Sequence, residues 1–205
     1  MPRLLRWVRA ATVVTAAAVL VACAPTTAPP DDAETPLPRD LRLAFACLAD
    51  HSPWELDLDD AVHERADVAS ASGTAVLGTA TRGRATMSFG ADDDPAWSFH
   101  AIGVMLEVRY GDGALERAML DGDLDARYDL EESGPGVLLL VRPDGGLSNT
   151  TAARGADGTP ADPHLPAITL PWDGDAVVDI ACTEHKLVIS VPGGSPASWE
   201  FLPAS

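Results

Sequence analysis

The chain is expected to be all-β: an antiparallel meander forming a barrel or sandwich, with one or two short helices near the start of its folded part. Three observations carry this expectation. Apolar and polar residues alternate with a period of two along several stretches, as they do in half-buried strands. Clusters of Gly, Asp and Pro separate those stretches at short intervals. Only two segments offer a competing helical signal.

The elements follow in order. Arg39 to Ala49 forms one short helix candidate, and Asp59-Asp60 caps a second from about Ala61 to Ala69. Thr74 to Thr81 and Arg84 to Phe89 read as a hairpin around Arg82-Gly83. Ile102, Val104, Leu106, Val108 and Tyr110 then share one face, alternating with Gly103, Met105, Glu107 and Arg109, before a turn at Gly111-Asp112-Gly113. Leu124, Ala126, Tyr128 and Leu130 form the next apolar face, opposite Asp123, Asp125, Arg127 and Asp129. Ser133-Gly134-Pro135-Gly136 breaks the chain before Val137 to Val141, a continuous apolar run that reads as a strand covered on both sides. Pro143-Asp144-Gly145-Gly146 is another turn signal. Ala176, Val178, Ile180 and Cys182 share a face, Thr183-Glu184-His185 turns the chain into Lys186 to Val191, and Trp199 with Phe201 marks a last strand. Eight to ten short strands with tight turns imply a barrel or a sandwich.

Three regions organise the chain. Residues 1–22 carry Arg3, Arg6 and Arg9 ahead of the uncharged stretch Ala10 to Ala22, the layout of an export signal. Those thirteen residues rise only about 20 Å as a helix, too short for a bilayer core of about 30 Å. Leu20-Val21-Ala22-Cys23 resembles the bacterial lipobox, where signal peptidase II cuts after diacylglycerol is attached to the cysteine. The resemblance implies a lipoprotein with a palmitate-bearing anchor at Cys23, held on the extracytoplasmic face of the cell membrane. Residues 23–38 contain Pro25, Pro29, Pro30, Pro36 and Pro38 and almost nothing apolar, so they read as an extended tether of about 45 Å. Residues 39–205 have the size of a single β domain.

Charge narrows the partners. The whole chain has a formal charge of −17. Removing residues 1–22 takes away three of fourteen basic residues and none of thirty-one acidic ones, leaving −20. Such a surface repels nucleic acid, which needs clustered Lys and Arg. Membrane contact is therefore expected through acyl chains at Cys23, each buried methylene contributing about 0.8 kcal/mol. In an exported domain the pair Cys47 and Cys182 reads as a disulfide. Closing so long a loop stabilises by up to about 5 kcal/mol in the chain-entropy model.

Chemistry-bearing motifs are sparse. The histidines at 51, 63, 100, 164 and 185 form no H-E-x-x-H pattern, and His63-Glu64 reads as a solvated pair on a helix. Gly193-Gly194-Ser195-Pro196 is a loop rather than a nucleophile elbow, because proline forbids the helix that must follow. No P-loop or dinucleotide fingerprint occurs. No catalytic residue, metal ligand or cofactor is assigned, and an enzyme is not expected. Asp121 to Glu132 places acids at positions 1, 3, 5, 9 and 12 of an EF-hand loop, but Ala126 stands where glycine is needed and Gly134-Pro135 follows where a helix must begin. A strand explains the same odd-position acids, and Asp92-Asp93-Asp94-Pro95 reads as an acidic turn.

Ala153 to Pro166 lacks periodicity and reads either as a lid over a barrel end or as a disordered stretch. Trp97 and Trp172, flanked by Pro95 and Pro171, are placed in loops and are candidates to face a ligand or partner. The run from Cys47-Leu48 through Trp54-Glu55-Leu56-Asp57 to the hairpin of Cys182 and Leu187-Val188-Ile189 looks like uncharacterised actinobacterial surface lipoproteins. It is more remotely similar to calycin (lipocalin-like) barrels. The calycin resemblance implies Trp54 as a plug at the closed end, and a small cavity for an apolar ligand. The expected function is thus binding: a small apolar ligand held in a cavity, or alternatively another envelope protein docked on an outer face. A hydrolase with a site invisible in sequence is the third reading.

Overall fold

The computed structural model describes residues 39–134, 136–165, 167–168, 170, 172, 176–192 and 198–205. The regions expected to be a signal and a tether, Cys23 included, and the expected loop Gly193-Gly194-Ser195-Pro196 lie outside the described residues.

Two helices come first, as the sequence implies. Helix α1 spans Arg39–Asp50 and turns Leu41, Phe45 and Leu48 inward, one apolar stripe at helical spacing. A short strand β1, Trp54–Leu56, leads into α2, Leu58–Ala71. The cap of α2 is Asp57 rather than the Asp59-Asp60 pair. Its carboxylate accepts the N–H groups of Asp59 and Asp60 at 3.1 and 3.0 Å, while those two acids sit in the first turn, where the helix dipole favours them.

Strands β2 (Val76–Phe89), β3 (Ala96–Tyr110), β4 (Leu115–Ser133), β5 (Gly136–Val141), β6 (Asp144–Arg154), β7 (Pro160–Ala161), β8 (Ala176–Cys182), β9 (Leu187–Ser190) and β10 (Ser198–Pro203) complete the chain. Eight of them form a closed antiparallel barrel in the order β3-β2-β1-β10-β9-β8-β5-β4, with β4 returning to pair with β3. Closure leaves no free edge around the ring.

Two expected turns are absent, and the reason is the same for both. Arg82-Gly83 does not reverse the chain: β2 runs through it, with a bulge between Arg82 and Arg84. Gly145-Gly146 likewise lies within β6, which continues the register of β5 along one edge of β4, Val141 facing Tyr128 and Asp144 facing Asp125. In both places glycine answers a close approach between strands. A Cβ on Gly83 would sit 2.3 Å from the Gly103 carbonyl oxygen, and one on Gly145 2.4 Å from that of Asp123. Gly103 and Gly122 belong to the same line, each with positive φ. A bulged glycine row crossing β2, β3, β4 and β6 bends strands that are too long for one side of a small barrel.

The row divides those strands into two parts. On one side they build the barrel. On the other, β2, β3, β4 and β6 extend into a wing whose inner face packs against α2. The bulge between Ala101 and Val104 also corrects the predicted face of β3. Val104, Leu106, Val108 and Tyr110 are buried, whereas Ile102 is 70% exposed. The predicted face of β4 is present: Leu124, Tyr128 and Leu130 are buried and Ala126 nearly so.

The barrel interior is filled by side chains. Trp54, Met87, Phe99, Leu139, Leu187, Ile189 and Phe201 are completely buried. Tyr128 packs between Phe45 of α1 and Phe89, with ring centroids 5.4 and 5.3 Å away. Each large side chain removed from water stabilises by about 1.5–3 kcal/mol. Cys47 of α1 is bonded to Cys182 of β8, Cα atoms 6.1 Å apart, so the first helix is covalently fixed to the barrel wall.

Candidate functional site

Two arrangements outside the apolar core hold concentrated polar chemistry. The first lies on the inner face of the wing. Glu116 of β4 is 1% exposed. It sits there because Glu116, Ala118 and Leu120 share the inward face of β4, and β4 is covered at that point. Four groups converge on its carboxylate. Arg65 of α2 donates at 3.2 Å, the Tyr110 hydroxyl at 3.2 Å, and the backbone N–H groups of His164 and Leu165 at 2.9 and 3.3 Å. A buried carboxylate left without partners would cost several kcal/mol, and these donors prevent that. Burial pushes the Tyr110 hydroxyl up to about 12, and the neighbouring Glu116 charge adds to the effect. Burial lowers the pKa of Arg65, opposed by the attraction of Glu116.

The two backbone donors come from the segment expected to be a lid or disordered. After β6 the chain turns at Gly155–Gly158 and pairs briefly through β7. Among the described residues that follow, His164, Leu165, Ile168, Leu170 and Trp172 mark a strap over the wing and barrel. Leu165, Ile168, Leu170 and Trp172 are buried within it, and Asn149 of β6 donates to the Ile168 carbonyl. The His164 ring lies 5.0 Å from that of Tyr110 and is 45% exposed. Glu116 therefore clamps helix, sheet and strap together. This cluster is structural in its chemistry, since every oxygen lone-pair direction is already engaged by the protein's own donors.

The second arrangement is the outer face of the wing. Arg82, Met105, Met119 and Thr150 stand in direct register across β2, β3, β4 and β6. With Asp121 and Ser148 they line a groove of about 340 Å³ beside the glycine row. Met119 is 42% exposed, and Ile102 stands at the same bend. Arg109 and Arg117 share this face and both reach Glu107, at 3.4 and 2.8 Å. Asp121 is held by the Gly103 N–H at 2.7 Å.

The sequence-predicted candidates fall elsewhere. Cys47 and Cys182 form the disulfide. Trp97 stands within β3 rather than in a loop, because Pro95 only ends the turn before it. Trp97 and Trp172 are each 2% exposed and touch one another, ring centroids 5.4 Å apart, with Phe99 against both. Among the described residues their indole N–H groups find no acceptor. Trp54 is completely buried, and its indole donates to the Leu48 carbonyl at 3.0 Å. Residues 121–132 are extended along β4, and Asp92-Asp93-Asp94 forms the turn between β2 and β3. His63 is exposed on α2 and bonds the Asp59 carbonyl at 2.6 Å.

Glu116 was legible in principle. Residues 116, 118 and 120 carry the parity of 124, 126, 128 and 130 straight back through Gly122, which places a glutamate at an inward position. The outer groove had no comparable signal, because it depends on which strands lie side by side. Comparison with protein-family models, curated proteins and solved structures finds no match to this chain.

Proposed function

We propose that the chain is a lipoprotein tethered to the extracytoplasmic face of the cell membrane through Cys23, and that its barrel domain docks another envelope protein on its outer surface. The observation that carries the docking reading is the contrast between inside and outside. Interior positions are taken by mutually packed aromatics, while Ile102 stands 70% exposed at the same bend as Met119, which is 42% exposed in the outer groove. Large apolar side chains kept in water near one another mark a contact surface more often than a solvated one. The charge and the lipobox-like Leu20-Val21-Ala22-Cys23 support the address.

One observation favours the alternative, a small apolar ligand within the barrel. Trp97 and Trp172 bury two indole N–H groups that meet no acceptor among the described residues. Such groups usually find a partner when buried, so a molecule bearing an acceptor would be received there if the rings parted.

Site-specific photo-crosslinkers at Ile102, Leu77, Leu43 and Val177, introduced one at a time in the native cell, test the docking reading. A discrete protein adduct from at least one position is expected. Absence of protein adducts at all four positions would refute it.

A further inference from the structure

We propose that the outer face of the wing binds an acidic segment of a protein partner, one that carries apolar residues between its carboxylates. This deepens the docking reading and rests on it. The first ground is charge. In a chain of formal charge −17, this face presents Arg82, Arg109, Arg117 and Arg154, with Glu107 between two of them and Asp121 at its border. Arg82 is exposed, and no carboxylate of the described residues engages it. Arginine forks suit carboxylates, which they meet with two parallel hydrogen bonds.

The second ground is shape. The groove between Arg82 and Thr150 is floored by the cross-strand pair Met105 and Met119. Methionine is unbranched and polarisable, and adapts to apolar side chains of differing shape. A partner must therefore bring carboxylates for the arginines and an apolar group for the methionines.

The third ground excludes a broad anionic sheet. Beyond the glycine row the outward residues of β4 are Asp123, Asp125, Arg127, Asp129 and Glu131, four acids to one arginine. A membrane or a wide polyanion laid across the wing would meet those acids as well as the arginines. A narrow segment confined to one side of the row avoids them.

The test uses the full chain in detergent and a fluorescent decapeptide of alternating Glu and Leu, read by anisotropy. Binding is expected to weaken with added salt. It should fall about tenfold or more in Arg82→Glu combined with Met119→Ser, two exposed changes that leave the melting temperature in place. A Lys/Leu peptide of the same length should not bind. Failure of the Glu/Leu peptide to bind, or binding unaffected by the double substitution, overturns the proposal. Arg82-dependent binding to phosphatidylglycerol vesicles without peptide binding also overturns it, in favour of a lipid surface. A photo-crosslinker at Met119 separates the two levels of the claim. Protein adducts from Leu43 or Val177 but not Met119 reject this surface and leave docking intact, whereas no protein adduct anywhere rejects docking itself.

Discussion

The Glu116 carboxylate accepts the backbone N–H of His164, 48 residues further along the chain, at 2.9 Å. With the Leu165 N–H beside it, this bond joins the inner face of the wing to the strap, and Arg65 on the other side joins the same carboxylate to α2. Removing the carboxylate leaves a buried guanidinium and two strap N–H groups without their acceptor. Glu116→Ala is therefore expected to destabilise the fold by about 3–5 kcal/mol. Amide exchange at His164 and Leu165 should rise together with exchange in α2. Unchanged exchange in the strap would show that Glu116 does not hold it.

The raised Tyr110 hydroxyl gives a pH signature. Unfolded, it ionises near 10; folded, near 12. The fold favours the protonated form, so its contribution is complete below pH 10 and is lost as pH rises through 12. Denaturant midpoints should fall across that window, and Tyr110→Phe should flatten the fall. Tyr128 is raised by burial as well, so some slope should remain in the variant. A midpoint that rises with pH, or a profile identical in Tyr110→Phe, would contradict the assignment.

The glycine row makes a steric prediction. A Cβ on Gly122 would stand 2.2 Å from the Gly146 carbonyl oxygen, at φ +128. Gly122→Ala should cost about 1–3 kcal/mol, as strain at a special backbone position does. Gly146 has open space around its own Cβ position, so Gly146→Ala should be much milder. Equal effects of the two, measured by urea denaturation, would mean that the row does not constrain the bend.

Residues 121–132 offer a direct contrast between strand and metal loop. Tyr128 is buried against two rings and its hydroxyl donates to the Gly90 carbonyl at 2.7 Å, so Tyr128→Asp should unfold the domain. Asp125 is exposed on the opposite face, and Asp125→Asn should change stability by less than about 0.5 kcal/mol. Micromolar calcium binding by calorimetry, abolished by Asp125→Asn, would contradict the strand reading.

These elements also show what the sequence could convey. Alternation located β3, β4, β8 and β9 because one face of each is buried, and periodicity records burial. Gly83 and Gly145 were read as turns because glycine marks a demanding backbone position without saying whether the chain reverses there. The answer lies in the neighbouring strand, in Gly103 for one and Asp123 for the other. Trp97 and Trp172 were placed in loops, facing a ligand or partner, by their nearby prolines, whereas the pairing of β3 with β2 and β4 turns Trp97 into the core. The disulfide between Cys47 and Cys182 was legible from the expected export signal together with the even pair of cysteines left after it. The outer groove was not, since Arg82, Met105, Met119 and Thr150 become neighbours only through strand order.

The tether is tested by Cys23→Ala. The protein should move from the membrane to the soluble fraction or accumulate as an unprocessed precursor. Normal membrane retention of a processed product would contradict lipid attachment at Cys23.

Native mass spectrometry of the full chain, extracted from its own cell, addresses the central contrast between a packed interior and a working exterior. Polypeptide plus lipid anchor is expected, with a protein partner lost on Arg82→Glu combined with Met119→Ser and no small molecule retained. A co-purified small molecule that persists in that variant and is lost on Trp97→Ala would contradict it.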